Sequence, residues 1–304
     1  MITMDKLIVI GPSSQLLGMR TVNKTGLDFV QTEYKTFPDG ECYIRIKIDD
    51  ESVIAGKEII VIQTLGASNR ADQNQRLLEL IMMISSLKRM KAKKIRVFVP
   101  YLAYGRQDKA FRPGESLIAH VICHMIENAG ADEFYTVDIH ADHVLETFKI
   151  PAFNLNPMQL LAEYVKSKDL QNPVVVSPDK GAVQRSKSFA WFFGRDVPVE
   201  VFSKERDVIT GDIKMTGKLN VKNMDVIIAD DIISTGGTMA SAIKIAKKSG
   251  ARRVYAIGTH PLLIQDAITQ IIDAGADEIV GTDTINNPFA QVTMASLLAE
   301  AILK

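Results

Sequence analysis

The chain has 304 residues, 46% of them hydrophobic and 24% charged, which is enough to bury one large core or two ordinary ones, so two domains are expected. Its 36 basic and 36 acidic residues cancel, which excludes nucleic-acid or anionic-membrane binding through bulk charge. We therefore expect no nucleic-acid or membrane partner, and any polyanionic ligand must be held by a few placed residues.

Neither a membrane span nor a secretion signal is visible in the sequence. No apolar run reaches the ~18 to 20 residues that a span needs, and MITMDKLIVIG lacks a basic stretch followed by a cleavable apolar segment. Two cysteines, Cys42 and Cys123, are too few for a disulfide framework. We expect a cytoplasmic protein in a reducing compartment.

Short β-branched runs alternate with amphipathic stretches along the chain. The predicted strands are, in order, KLIVIG, EIIVIQTL, KIRVFVPYL, EFYTVDI, PVVVSPD, VPVEVFS, DVIIADD, RRVYAIGTH and EIVGTDTI. Helices are predicted between most of them, at residues 74–90, 116–128, 159–167, 238–249 and 264–273. This alternation is typical of parallel sheets covered by helices, which predicts an α/β fold.

One stretch breaks the alternation. TFPDGECYIRIKI, residues 36–48, places the turn residues Pro38, Asp39 and Gly40 before an alternating strand. That pattern predicts an antiparallel hairpin, or flap.

The sequence AGADE occurs twice, at residues 129–133 and 274–278, each time between a predicted helix and a predicted strand. The two halves therefore look like copies of one α/β unit, and we predict domains at 1–145 and 146–304. The first copy carries an insertion that includes RQDKAFRPGE, residues 106–115. Because ligands gather at the carboxyl ends of strands in open α/β sheets, this insertion is interpreted as a binding loop; a solvated polar loop is the alternative.

VIIADDIISTGGT, residues 226–238, combines two carboxylates with an anion-binding loop. A buried strand ends in Asp230 and Asp231, and the following loop starts a helix whose free N–H groups and positive dipole end favour a phosphate. The carboxylates would repel that phosphate, so they are expected to hold hydroxyl groups of the same ligand. A ribose carrying a 5-phosphate meets both demands. A simple helix N-cap would explain Thr238 but not two consecutive aspartates at the end of an apolar run.

The same stretch resembles the ribose-5-phosphate loop of the phosphoribosyltransferase fold. That likeness admits a phosphoribosyltransferase or a ribose-phosphate diphosphokinase. FPDGE, RQDK, VDIHA, VSPD and KER follow in the order of the diphosphokinase family, and the duplication is also a property of that family. The resemblance covers essentially the whole chain. It implies two duplicated domains of phosphoribosyltransferase type, each a mainly parallel sheet flanked by helices, with an antiparallel flap in the first.

The resemblance also implies an activity and a set of site residues. Family members transfer the β,γ-diphosphoryl group of ATP to the 1-hydroxyl of ribose 5-phosphate, release AMP and require Mg²⁺. By similarity, the residues that contact ATP are Phe37, Asp39, Glu41, Arg106, Gln107 and Asp108. Those that hold ribose 5-phosphate are Asp230, Asp231, Ser234, Thr235, Gly236, Gly237 and Thr238. Lys204 and Arg206, on a mobile loop running to about Gly217, would be catalytic, and His140 and Asp179 would interact with the metal.

The resemblance further implies a homo-oligomer, at least a dimer, in which the flap enters the neighbouring active site. The loop after RQDK is shorter than in the ADP-regulated members, and the sequence ends at Lys304 without their tail, which puts regulation by ADP and phosphate in doubt.

Two other interpretations remain open. One is a phosphoribosyltransferase or a non-catalytic partner of the diphosphokinase, although the intact Lys204, Arg206 and His140 argue against an inactive form. The other is a zinc site, for which the helix that carries His120, Cys123 and His124 and the pair His140 and His143 are candidates, although the sequence offers no matched further ligand.

Overall fold

The computed structural model describes residues 5–68, 70–179, 181–206, 213–216 and 219–304. The chain forms two compact units, the first of Met1–Asn156 with Met294–Lys304 and the second of Pro157–Thr293. The boundary predicted from sequence, between residues 145 and 146, lies before the start of the second unit. No helix in the described part of the chain combines the length and apolar character needed to span a membrane.

The first unit is built on a seven-stranded sheet in the order β3-β2-β1-β4-β5-β6-β7. Its strands are β1 (Lys6–Ile10), β2 (Asp28–Thr36), β3 (Cys42–Ile46), β4 (Glu58–Ile62), β5 (Lys94–Val99), β6 (Glu133–Val137) and β7 (Ala152–Leu155). Its helices are α1 (Gln15–Thr25), α2 (Gln73–Arg89), α3 (Ile118–Asn128) and, from the end of the chain, α8 (Ala295–Leu303). Neighbouring strands are parallel except β2 and β3, which form the predicted antiparallel flap.

The second unit contains a six-stranded parallel sheet in the order β15-β14-β13-β12-β8-β9. Its strands are β8 (Val174–Ser177), β9 (Val199–Val201), β12 (Asp225–Ile233), β13 (Arg253–Pro261), β14 (Glu278–Thr282) and β15 (Ala290–Val292). Its helices are α4 (Met158–Lys166), α5 (Val183–Phe193), α6 (Gly237–Lys248) and α7 (Ala267–Asp273). A separate antiparallel ribbon pairs β10 (Ser203–Arg206) with β11 (Ile213–Thr216). The predicted α/β class is confirmed.

The central strands are apolar along their whole length because both faces of each sheet are covered. Ile59, Ile60, Val61 and Ile62 of β4 are completely buried, and the apolar run of β12 from Val226 is buried in the same way. A buried parallel strand has its backbone groups paired with both neighbours, so its end is a fixed point from which a following side chain can be aimed.

The duplication extends to individual contacts. Asp132, after α3, accepts a hydrogen bond from the backbone N–H of Ile95 at 2.8 Å, and Asp277, after α7, accepts one from Val254 at 2.8 Å. The preceding glycines both have positive φ, 115° at Gly130 and 103° at Gly275, which ends each helix in a conformation that favours glycine. The two AGADE copies therefore perform the same helix-to-strand turn.

Helix α8 joins the first unit through a buried arginine. Arg96 of β5 donates to the carbonyl oxygens of Ala301 at 2.7 Å and Ile302 at 2.9 Å, and its side chain also pairs with Glu133 at 2.9 Å and Glu58 at 3.2 Å. The terminal carbonyls of a helix have no partner within the helix. The guanidinium thus holds the end of α8 against the sheet.

We expect Arg96→Met to lower the free energy of unfolding by about 2–4 kcal/mol, because it leaves two half-buried carboxylates and the buried helix carbonyls without their donor. Arg89→Met is the matched control. Arg89 pairs with Glu51 at 2.7 Å, but their side chains are 65% and 56% exposed, so its loss should lower the free energy of unfolding much less than the loss of Arg96. Urea unfolding of both variants measures the difference; equal losses would contradict the anchoring role of Arg96.

Candidate functional site

Two adjacent carboxylates, Asp230 and Asp231, follow the apolar run of β12 and lie just before its end at Ile233. Asp231 is 4% exposed and Asp230 is half-buried. The Asp230 carboxylate accepts the backbone N–H of Asp231 at 2.9 Å, and the Asp231 carboxylate accepts that of Ile232 at 2.9 Å. Burial raises the pKa of Asp230 well above its usual value, the Asp231 carboxylate raises it further, and the Arg185 guanidinium opposes both. The backbone hydrogen bonds therefore fix the direction of both carboxylates, and their negative charges repel each other.

The loop after this pair leads directly into α6. Gly236, the N-cap of α6, has a φ of +82°, and a Cβ built on it would lie 3.0 Å from the carbonyl oxygen of Ala267. A Cβ on Gly237 would meet no atom within 4 Å. The first N–H groups of an α-helix have no partner within the helix, so the start of α6 presents donors and the positive dipole end beside the carboxylates. Ser234 and Thr235 lie in this loop and Thr238 lies in the first turn of α6, each with a hydroxyl group.

Asp179 and Arg185 lie on either side of the start of helix α5. Asp179 follows β8, and its Oδ1 accepts the backbone N–H groups of Gly181 at 2.9 Å and Ala182 at 3.1 Å, just before α5 begins. Six residues after Asp179 in the printed sequence, Arg185 places its Nη2 3.7 Å from Oδ2 of Asp231. The predicted metal-binding carboxylate and the predicted ribose-binding pair are thus joined by one helix.

The flap projects from the edge of the first sheet because β2 has two partners. Its first half pairs with β1, and its second half, from Thr32 to Thr36, pairs with β3. At the tip, the N–H of Phe37 donates to the carbonyl of Glu41 at 2.8 Å, and Asp39 accepts the N–H of Glu41 at 3.2 Å. Phe37 is 39% exposed, with the Lys35 ammonium 4.7 Å from its ring centre. The predicted nucleotide-binding side chains of the flap therefore stand at an exposed, ordered turn.

The inserted loop of the first unit borders a cavity of about 380 Å³. The cavity is lined by Arg106, Gln107, Lys109, Phe111, Glu115, Ser116 and Ile118. Asp108 does not line it and instead lies 3.3 Å from Nε2 of His143, with its side chain 10% exposed. Arg106 and Gln107 thus face open space, whereas Asp108 ties the loop to the segment that carries His140. His140 itself is exposed in the turn after β6.

The predicted catalytic residues fall in a strand rather than a loop. The backbone of Lys204 pairs with that of Met215, and the backbone of Arg206 with that of Ile213, in the β10/β11 ribbon. The side chains of residues 203–218 and all of 207–212 and 217–218 lie outside the description, so the roles of Lys204 and Arg206 stay predictions. The sequence did not predict strand β10, because its residues are mostly charged and the alternation that indicates a strand requires apolar side chains.

Sequence reasoning did not assign Arg185, and it considered His143 only as a zinc ligand. Arg185 lies in KGAVQR, where the resemblance already fails to match the family pattern, and no local signal connects it to Asp231. A cation in the first turn of a helix is a usable clue, because it opposes the helix dipole and so requires another partner, but the sequence analysis predicted no helix at Val183–Phe193.

The helix proposed as an alternative zinc site offers a poor thiolate ligand. Cys123 is buried, its thiol donates to the carbonyl of Val144 at 3.8 Å, and burial raises its pKa to about 12. Metal ligation by cysteine requires the thiolate. Among the described residues, no group of three or more His, Cys, Asp or Glu side chains is arranged to hold a metal ion by itself.

Comparison with known proteins agrees along the whole chain. A family model described as the N-terminal domain of ribose phosphate pyrophosphokinase matches residues 6–130, and a phosphoribosyl transferase domain model matches residues 143–287. The chain is 36% identical over 307 residues to a ribose-phosphate pyrophosphokinase of Methanobrevibacter smithii, covering 97% of this chain and 99% of the relative. It is 38% identical over 270 residues to one of Sulfurisphaera tokodaii, covering 88% and 89%.

A solved structure extends the likeness to three dimensions. The crystal structure of phosphoribosylpyrophosphate synthetase from Mycobacterium smegmatis matches with a TM-score of 0.86 and 29% sequence identity, over 98% of this chain and 97% of that one.

Gly236 is expected to be indispensable to the loop before α6, unlike Gly237. Gly236→Ala should lower the free energy of unfolding by about 1–3 kcal/mol, because it forces a β-carbon into a positive-φ position against the Ala267 carbonyl. Gly237→Ala, which meets open space, should stay within about 0.5 kcal/mol of the wild type. Chemical unfolding compares them, and equal stability of the two variants would show that the loop is not held as described.

Proposed function

Because this chain belongs to the ribose-phosphate pyrophosphokinase family, whose members transfer diphosphate from ATP, we propose that it converts ATP and ribose 5-phosphate into AMP and 5-phosphoribosyl 1-diphosphate. The 1-hydroxyl oxygen attacks the β-phosphorus of ATP, the bond from that phosphorus to the α-phosphate oxygen breaks, and AMP leaves. Nucleotide biosynthesis consumes the product.

The observation that carries this proposal is the acidic pair beside the start of α6. Asp230 and Asp231 offer hydroxyl acceptors at the end of β12, and the loop from Ser234 to Thr238 offers N–H and O–H donors within a few residues. The carboxylate pair cannot hold the phosphate, because like charges repel. The N–H groups at the start of α6 cannot accept hydrogen bonds from the hydroxyl groups, because they are donors. A phosphorylated sugar satisfies both at once: its hydroxyls donate to the pair and its 5-phosphate accepts from the helix start.

On the nucleotide side, Arg106 and Gln107 supply donors at the rim of the cavity in the first unit. The Asp108 carboxylate, which lies 3.3 Å from Nε2 of His143, supports the position of this loop, and its contact with ATP stays a prediction. Lys204 and Arg206 stabilise the negative charge that develops on the transferring group, which is the principal task in this kind of transfer.

Magnesium is the metal that this donor set fits. Mg²⁺ prefers oxygen ligands and is commonly bound through one or two carboxylates, waters and substrate phosphates. The Asp179 carboxylate is held in orientation by the N–H groups of Gly181 and Ala182, which suits such a ligand. His140 would act on the metal through bound water. When bound, the ion neutralises phosphate charge; the chain's own residues orient the reactants.

The decisive experiment measures AMP formation that depends on both ribose 5-phosphate and Mg²⁺. Lys204→Ala and Arg206→Ala should each lower turnover about 10²-fold or more while changing substrate affinities much less, because their charges act mainly on the transition state. Lys187→Ala, an exposed lysine on α5, serves as the control and should keep full activity. No AMP from the wild type would reject the activity, and full turnover in the Lys204 or Arg206 variant would reject the assigned roles.

We further propose that each complete site uses two chains. The flap tip is exposed within its own unit and projects past the sheet edge, and its aromatic ring is available to stack on an adenine. On this proposal Phe37, Asp39 and Glu41 serve a neighbouring subunit, and the protein is at least a dimer.

Mixing two inactive variants tests the shared site. A flap variant, Phe37→Ala with Asp39→Ala, and a ribbon variant, Lys204→Ala with Arg206→Ala, should regain activity together, because a heterodimer contains one site with both intact parts. Activity after subunit exchange must exceed the sum of the separate variants. Heteromers isolated through two different tags that show no recovery would mean that the flap serves its own chain.

A further inference from the structure

Arg185 occupies a position that its own helix does not favour. It is the third residue of α5, and the first turn of α5 contains no acidic residue. A positive charge at the start of a helix is repelled by the helix dipole. Its side chain is also only 13% exposed, which removes most of the solvation of the guanidinium. A compensating anion outside the helix is therefore required.

That anion is Asp231. The Arg185 Nη2 lies 3.7 Å from Oδ2 of Asp231, whose side chain is 6% exposed. The other oxygen of the same carboxylate accepts the N–H of Ile232, and the Asp230 carboxylate accepts the N–H of Asp231. The backbone bonds fix the direction of both carboxylates, and Arg185 supplies positive charge beside Oδ2 of Asp231.

From this geometry we infer that Arg185 is a positioning residue that keeps the Asp230 and Asp231 pair charged and oriented for ribose hydroxyls; the inference rests on the proposed function of that pair. Two neighbouring carboxylates with little solvent repel each other, and one of them takes up a proton unless a cation is near. A protonated carboxyl group loses acceptor strength towards hydroxyl donors. Arg185 acts through the pair, and the sugar contacts the carboxylates.

The position of α5 gives this role a second consequence. The helix starts at the N–H groups that bind Asp179, so the same rigid element sets the Asp179 carboxylate and delivers Arg185 to Asp231. A shift of α5 changes both carboxylate groups together. Through Arg185, a displacement of the segment proposed to hold the metal therefore also changes the position of the ribose-binding carboxylates.

The test uses the full chain and measures the Kd of ribose 5-phosphate and of ATP in separate calorimetric titrations, with kcat and KM from AMP formation. Arg185→Gln should raise the Kd of ribose 5-phosphate about tenfold or more and raise its KM, and it should leave the Kd of ATP unchanged. Arg185→Lys should restore most of the affinity, because it retains the charge. Lys187→Gln removes a positive charge from an exposed position on the same helix and should change the Kd of neither ligand.

A double-mutant cycle separates action through Asp231 from a general packing effect. In an Asp231→Asn background, adding Arg185→Gln should change the Kd of ribose 5-phosphate by less than about twofold, since the partner charge is already absent. Additive losses would overturn the inference. If Arg185→Gln does not fold, Arg185→Lys decides: a folded lysine variant that has lost ribose 5-phosphate binding overturns the charge argument, and one that binds supports it.

The controls distinguish this inference from the function on which it rests. Wild-type protein that binds no ribose 5-phosphate overturns both. Wild-type protein that binds it and forms AMP, beside an Arg185→Gln variant with the same Kd and KM, overturns only the role of Arg185.

Discussion

The second unit must hold two like charges side by side. Asp230 and Asp231 are fixed by backbone hydrogen bonds near the end of a buried strand, where little water can screen them. Positive charge must come from the protein, and the Arg185 side chain in the first turn of α5 supplies it beside Asp231. The order of elements along the sheet, with β8 directly beside β12, brings α5, which follows β8, to this edge.

The two duplicated sheets carry different side chains at the equivalent edge. The strands β1, β4, β5 and β6 adjoin in the same order as β8, β12, β13 and β14, so Gln63, which follows β4, stands where Asp230 stands in β12. Gln63 is completely buried; it accepts the N–H of Ser13 at 3.2 Å and donates to Glu79 at 3.3 Å. A β-carbon on Gly11 would overlap its side chain. A neutral amide thus occupies, at the edge of the first sheet, the position that a carboxylate occupies in the second.

Local patterns in the sequence predicted most of the fold and the core of the candidate site. The helix expected at 238–249 is α6 at Gly237–Lys248, because amphipathic spacing and the preceding glycines both act locally. The acidic pair was found because strand, carboxylates and glycines are consecutive. Long-range contacts were not predictable: nothing near Ala301 indicates that α8 packs on the first unit, and nothing near Arg185 indicates Asp231. The β10/β11 ribbon was expected as a loop because its charges mask the strand period.

The return of α8 to the first unit sets the order in which the chain can fold. A ribosome releases residues from the amino terminus, and domains generally fold as they emerge. Here the carbonyls that Arg96 binds, at Ala301 and Ile302, follow every residue of the second unit in the chain. All residues of the second unit are released before them, so the second unit can reach its native state first. The first unit, although begun earlier, stays incomplete until α8 has been synthesised.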